Sequence, residues 1–275
     1  MKRIFFVLML MLQLIIYSQT NYELFPSNLN IQPYTANFLE PKVGFLFQTG
    51  GNKIRLDIGN SLDVIHYKIS EYQTVSGGID FFTFTYLYGE KDFHFPVDAV
   101  DYLFGINLGF KQIREKDEFG LRFRFSHISA HFVDGHRDNI NDKWKDDINP
   151  IVYSREFIEL LPYYKIQNLR LYLGMTYLYH VDPTTIGKEI YQGGFDYFMK
   201  NFINEDFTPF IAYDFKIQRI TEYKVNSALS VGIKIGKPNS KGLSIYYHYY
   251  NGKNIHGEYY FMDEKFSSIG FNLDL

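Results

Sequence analysis

The chain has 275 residues, enough for one large all-β domain or two smaller ones. Its 27 Phe and 24 Tyr favour pleated, half-buried surfaces, and the absence of cysteine removes disulfides, thiolate metal sites, thiol nucleophiles and lipid attachment at an amino-terminal cysteine. A net charge of −3 with no Lys/Arg run leaves no electrostatic footprint for nucleic acid.

Lys2 and Arg3 precede a nearly all-apolar stretch over 4–17, and then Ser18, Gln19 and Thr20. That order reads as a secretory signal peptide over 1–20, cleaved near Ser18–Asn21. Its apolar core falls short of the roughly 18–20 residues that a spanning helix needs. Residues 21–41 carry Pro26, Pro33 and Pro41 and read as an extended periplasmic lead-in.

From Lys42 to the end, segments of period two alternate with turn residues. The pattern predicts about twelve strands: 43–49, 54–69, 76–88, 99–113, 119–132, 151–165, 169–181, 189–200, 207–217, 224–236, 242–250 and 264–275. Leu169, Leu171, Leu173, Met175, Tyr177 and Tyr179 oppose Arg170, Tyr172, Gly174, Thr176 and His180. Phe104, Ile106, Leu108 and Phe110 likewise oppose Gly105, Asn107, Gly109 and Lys111. A soluble sandwich shows the same period. Most segments, however, reach the ~9–11 residues that a tilted strand needs to cross a bilayer, and their polar faces suit a lumen. The expected fold is therefore all-β, an antiparallel transmembrane β-barrel of the bacterial outer membrane over 42–275. A closed barrel satisfies every backbone group, as spanning lipid requires. With an even strand count and both ends periplasmic, connections 89–98, 134–150, 182–188 and 251–263 fall outside, and 166–168 and 237–241 inside.

The strand 119–132 carries the candidate chemistry. Its odd row runs Phe119, Leu121, Phe123, Phe125 and continues in phase as His127, Ser129 and His131, against Arg122, Arg124 and Ser126. If the apolar row faces lipid, His127 and Ser129 lie on the outer wall near the outer leaflet. Residues two apart on a strand share a face about 6.5–7 Å apart along the backbone, a gap that leaning side chains can close to a hydrogen bond between imidazole and hydroxyl. Such an imidazole can take the hydroxyl's proton. The imidazole then needs a third group. The next strand supplies Glu156, in the row of Ile158 and Leu160; Asp134 and Asn141 in the intervening loop are weaker alternatives. The ordinary reading is that an outward row turns polar at the headgroups. Metal binding by His127 and His131 is disfavoured, because four residues along a strand span roughly 13 Å. His180 and His248 read as lumen lining, and Arg122, Arg124 and Arg170 as partners of Glu159 or Asp214. No residue pattern implies a cofactor or a metal.

The His127-x-Ser129 pair with Glu156 downstream resembles the site of outer-membrane phospholipases and lipid A deacylases, which implies acyl hydrolysis by these three residues. A broader resemblance rests on Asp98-Ala-Val-Asp-Tyr102, Ser126-His-Ile-Ser-Ala-His131, Tyr153-Ser-Arg-Glu156, Leu169-Arg-Leu-Tyr-Leu-Gly174, Tyr249-Tyr-Asn-Gly252 and Gly257-Glu-Tyr-Tyr260. Together these are similar to a bacterial outer-membrane barrel family known only as a domain of unknown function. That family usually has Ser at the position of Ala130 and an acidic pair where this chain has Phe132-Val-Asp134. Two functions follow. One is a serine acyl hydrolase whose partner is outer-leaflet phospholipid or lipid A, with Ser129 attacking, His127 as base and Glu156 orienting it. The alternative is a non-catalytic barrel with a narrow-channel, binding or structural role. Neither involves nucleic acid.

Overall fold

The computed structural model describes residues 21–138, 140–200, 202 and 206–274. The expected signal peptide lies outside the described residues. Twelve strands form an antiparallel meander: β1 (Val43–Gln48), β2 (Lys53–Ser70), β3 (Gln73–Tyr88), β4 (Val97–Ile113), β5 (Asp117–Phe132) and β6 (Tyr153–Ile166) in the first half. They continue as β7 (Leu169–Asp182), β8 (Ile186–Phe198), β9 (Phe207–Ile220), β10 (Glu222–Ile235), β11 (Gly242–Lys253) and β12 (Asp263–Asp274). β12 pairs with β1, from Leu273 opposite Val43 to Ser268 opposite Gln48, and this contact closes the barrel.

Alternation fixes which side chains meet which solvent. Leu171, Leu173, Met175 and Tyr177 of β7 are exposed on the outer wall, while Arg170, Tyr172 and Thr176 are buried inside. On β5 the outward row contains Phe125, and Arg122, Arg124 and Ser126 point inward and are buried. Odd groups from Phe119 onward therefore face out, as the sequence pattern requires. Turns such as 71–72, 114–116 and 167–168 follow the even strands, and the longest connection, 133–152, follows β5 at the opposite end. Short turns at one end and longer loops at the other are the usual asymmetry of such barrels.

Most of the interior is filled, with a cavity left at the short-turn end. Residues 28–42, expected as an extended lead-in, run through the barrel. Tyr22–Leu24 pairs with Ile65–Tyr67 on the edge of β2 that β1 uses further along, so the first strand is split and the chain between its two parts turns inward. Tyr34 is fully buried, and its hydroxyl donates to Leu161 O at 3.1 Å. Thr35 N donates to Asp196 Oδ1 at 3.0 Å, and the Arg170 guanidinium donates to Gln32 O (2.8 Å) and Pro33 O (2.5 Å). Glu40 accepts from Arg122 at 2.8 and 2.7 Å and from Arg124 at 3.1 Å. Arg122 also pairs with Glu159 at 2.9 Å, as expected. Arg170 pairs with Asp196 rather than Asp214, because Asp196 lies directly across the β7–β8 ladder, while Asp214 on β9 accepts from Gln192 and Tyr172. Charges this far from water persist only when paired and hydrogen-bonded, so the charged inner row and the inserted segment require each other.

The loop end is shut by a second polar network. His136 lies 3.0 Å by Nδ1 from Asp98 Oδ1 and 3.0 Å by Nε2 from Ile148 O, and stacks on Phe132 at 3.6 Å. Asp101 receives His256 Nδ1 at 2.8 Å and Gly257 N at 2.7 Å. Glu258 accepts from Phe132 N and Ile151 N, which ties the 254–262 connection to the ends of β5 and β6. Only glycine fits at 257, where a Cβ would lie 2.3 Å from the Tyr153 ring.

Candidate active site on the outer wall

Register brings the candidate groups together from two strands. On the β5–β6 ladder His127 lies opposite Glu156 and Ser129 opposite Ser154. On the other side of β5, Phe104 and Tyr102 of β4 lie opposite His127 and Ser129. The Phe104 ring is 4.9 Å from the His127 ring, an apolar wall that limits the imidazole's rotation. His127 Nδ1 is 2.6 Å from Glu156 Oε1. A carboxylate only accepts, so Nδ1 carries the proton and Nε2 presents its lone pair. Ser154 Oγ donates to the same oxygen at 3.1 Å.

A third strand contributes a residue that the sequence pattern assigned to the lumen. His180 belongs to the inward row of β7 by strict alternation, yet it is exposed, and its Nδ1 donates to Glu156 Oε2 at 2.5 Å. The reason is a β-bulge between Leu178 and His180 in the β6–β7 register. The extra residue puts Tyr179 and His180 on the same side, and Val181 resumes the buried row. Asp182 Oδ2 lies 3.7 Å from His180 Nε2. His248, by contrast, is buried in the lumen as expected, bonded to Ser230 Oγ at 2.9 Å.

Both Glu156 oxygens are thus engaged, one by His127 and Ser154 and the other by His180. This is how a carboxylate on the lipid-facing side of a wall is held in one orientation. Ser129 shares the face of His127 and is half-buried, but it forms no side-chain hydrogen bond with a described residue, so the hydrogen bond to His127 that the spacing suggests is not made in this structure. The loop alternatives lie elsewhere: Asn141 donates to Asp138 at 2.7 Å, and Asp134 accepts from Gly135 N. His131 is exposed, with its ring 6.2 Å from Tyr102. Among the described residues no group of three or more His, Asp or Glu side chains is arranged to hold a metal ion. His180 is not marked by local sequence, since the bulge creates its role, whereas Ser154 is legible as the residue two before Glu156 on the same row.

Residues 100–275 match the family model described as a protein of unknown function, DUF1207. The chain belongs to that family. Among solved structures, this DUF1207 member is similar to the outer membrane phospholipase A of Escherichia coli, with a TM-score of 0.55 and 13% identity over 90% of this chain and 94% of that one. It also matches the translocator domain of the autotransporter NalP from Neisseria meningitidis, with a TM-score of 0.39 and 11% identity over 84% and 85% of the two chains. OmpT, an outer membrane protein of Vibrio cholerae, matches with a TM-score of 0.36 and 10% identity over 84% and 92%. At such identities the likeness to the phospholipase is one of fold. Curated proteins give no match by sequence. Two stretches singled out in the sequence, around Asp98–Tyr102 and Gly257–Tyr260, meet in the network at the loop end.

Proposed function

We propose that the protein is an integral outer-membrane serine acyl hydrolase acting on outer-leaflet lipid, phospholipid or lipid A. The observation that carries this reading is the 2.6 Å contact of His127 Nδ1 with Glu156 on the outer wall, with Ser129 two residues along the same face. Ser129 Oγ attacks the ester carbonyl while His127 Nε2 takes its proton. The imidazolium, stabilised by Glu156, returns that proton to the departing lysolipid oxygen, and water then cleaves the acyl-serine. Ser154 is the less suitable nucleophile because its hydroxyl is committed to Glu156. The fold shared with a phospholipase supports this reading, and an interior mostly filled by its own side chains gives little support to a channel.

The test is fatty-acid release from detergent-dispersed diacyl phospholipid, and separately from lipid A, by purified protein. Release from either supports the reading, and an inert wild type on both overturns it. His180 acts as a positioning residue, holding the far oxygen of Glu156. A hydrogen bond to a charged group is worth roughly 1.5–3 kcal/mol, so His180→Ala is expected to lower kcat about ten- to a hundredfold with KM little changed. A fall in kcat/KM that comes entirely through KM would instead place His180 in lipid binding.

A further inference from the structure

At the short-turn end, between the inserted segment and the wall, the barrel holds a cavity of about 310 Å³. Its lining is rich in charge, and Lys42, Lys111, Lys165, Arg170 and Lys234 all face it. Four carboxylates also line it, and three of them are ion-paired. Glu40 is held by Arg122 and Arg124, Asp196 by Arg170, Asp274 by Lys234 at 2.6 Å, and Glu118 accepts from Tyr163 at 2.5 Å. Three ammonium groups remain. Lys111 donates to a backbone carbonyl, that of Asn30, at 2.9 Å. Lys42 and Lys165 are half-buried, and neither has a carboxylate within ion-pairing distance among the described residues.

Glu118, opposite Lys165 on the β5–β6 ladder and hydrogen-bonded to the uncharged Tyr163 hydroxyl, is the one lining carboxylate outside an ion pair. Three lysines therefore share a single lining counter-charge, which favours an anion joining them. The volume matches the lower range of small-molecule sites, roughly 300–1,000 Å³. Tyr163, Phe198 and Tyr246 add aromatic surface beside the cations. Lysine presents a compact point charge that suits a phosphate oxygen without demanding the planar fork that a carboxylate offers arginine. We propose that this vestibule binds a small phosphorylated solute, with Lys42, Lys111 and Lys165 on its phosphate and the aromatic wall against its organic part. In the orientation proposed above, the vestibule faces the periplasm, on the side of the membrane away from the Ser129 site.

The test is isothermal titration of the purified, detergent-solubilised protein with inorganic phosphate, glucose 6-phosphate and glucose. Saturable binding of both phosphates without binding of glucose is expected. Lys42→Gln with Lys165→Gln should weaken glucose 6-phosphate at least tenfold, and Ser129→Ala should leave it unchanged. Folding of each variant is checked by the heat-dependent shift in gel mobility. If the double variant fails that check, Lys165→Gln alone is compared with Lys165→Arg, and the proposal requires that only the glutamine variant lose affinity. No saturable binding of either phosphate, undiminished binding by the glutamine variants, or citrate binding as tight as phosphate overturns the assignment.

Discussion

Ser129→Ala is expected to lower acyl release by roughly 10⁴–10⁶-fold while leaving the barrel as stable as wild type. The two halves of this result have different causes. Ser129 sits half-buried on the outer wall without a side-chain hydrogen bond to any described residue, so its loss belongs with surface substitutions, within about 0.5 kcal/mol. Its chemical role, in contrast, has no substitute, because Ser154 is spent on Glu156. His127→Ala is expected to cost about as much, and the double variant no more than either single one, since residues that act as a unit are not additive. Release rates on dispersed phospholipid for the three variants check this. Additive losses would mean that His127 and Ser129 do not work together.

Arg124→Met is expected to have the opposite signature: a large loss of stability with the chemistry spared. Arg124 is 1% exposed, 3.1 Å from both Glu40 and Asp80 and 3.9 Å from Glu159. Removing it leaves three buried carboxylates with Arg122, whose own hydrogen bonds go to Glu40 and Glu159. Breaking a buried charge network from one side costs about 3–5 kcal/mol. The inserted segment is expected to loosen with it, because Glu40 anchors that segment to β5. The urea midpoint, followed by far-UV circular dichroism, should fall clearly. Activity at low urea should persist, because the guanidinium lies on the inner face of the wall and the Ser129 site on the outer one. An unchanged midpoint would show that the interior network contributes little to stability.

The twelve strands were legible because the chain places one kind of side chain against lipid and another against the lumen at every second residue. Every boundary fell within about three residues of the observed one, since turns and alternation mark the same places. The outward phase of β5, and with it the meeting of His127 and Glu156, followed from the same rule. Two things were not legible. The role of His180 depends on a bulge, a local break in the alternation that supported every other assignment. The course of residues 28–42 depends on long-range bonds, such as Arg170 to Gln32 and Pro33, which no periodicity records. A polar, proline-bearing segment reads as exposed until its partners on distant strands are known. The same limit separated Arg170 from Asp196, which lies directly across the β7–β8 ladder.

Reaction of the purified wild-type protein with a lipid-like fluorophosphonate, followed by mass spectrometry of its peptides, measures most directly whether an activated serine stands on the outer wall. A single phosphonylated residue, Ser129, with labelling lost in His127→Ala, is the predicted result. Fatty-acid release without any adduct, or an adduct on Ser154 in place of Ser129, would contradict it.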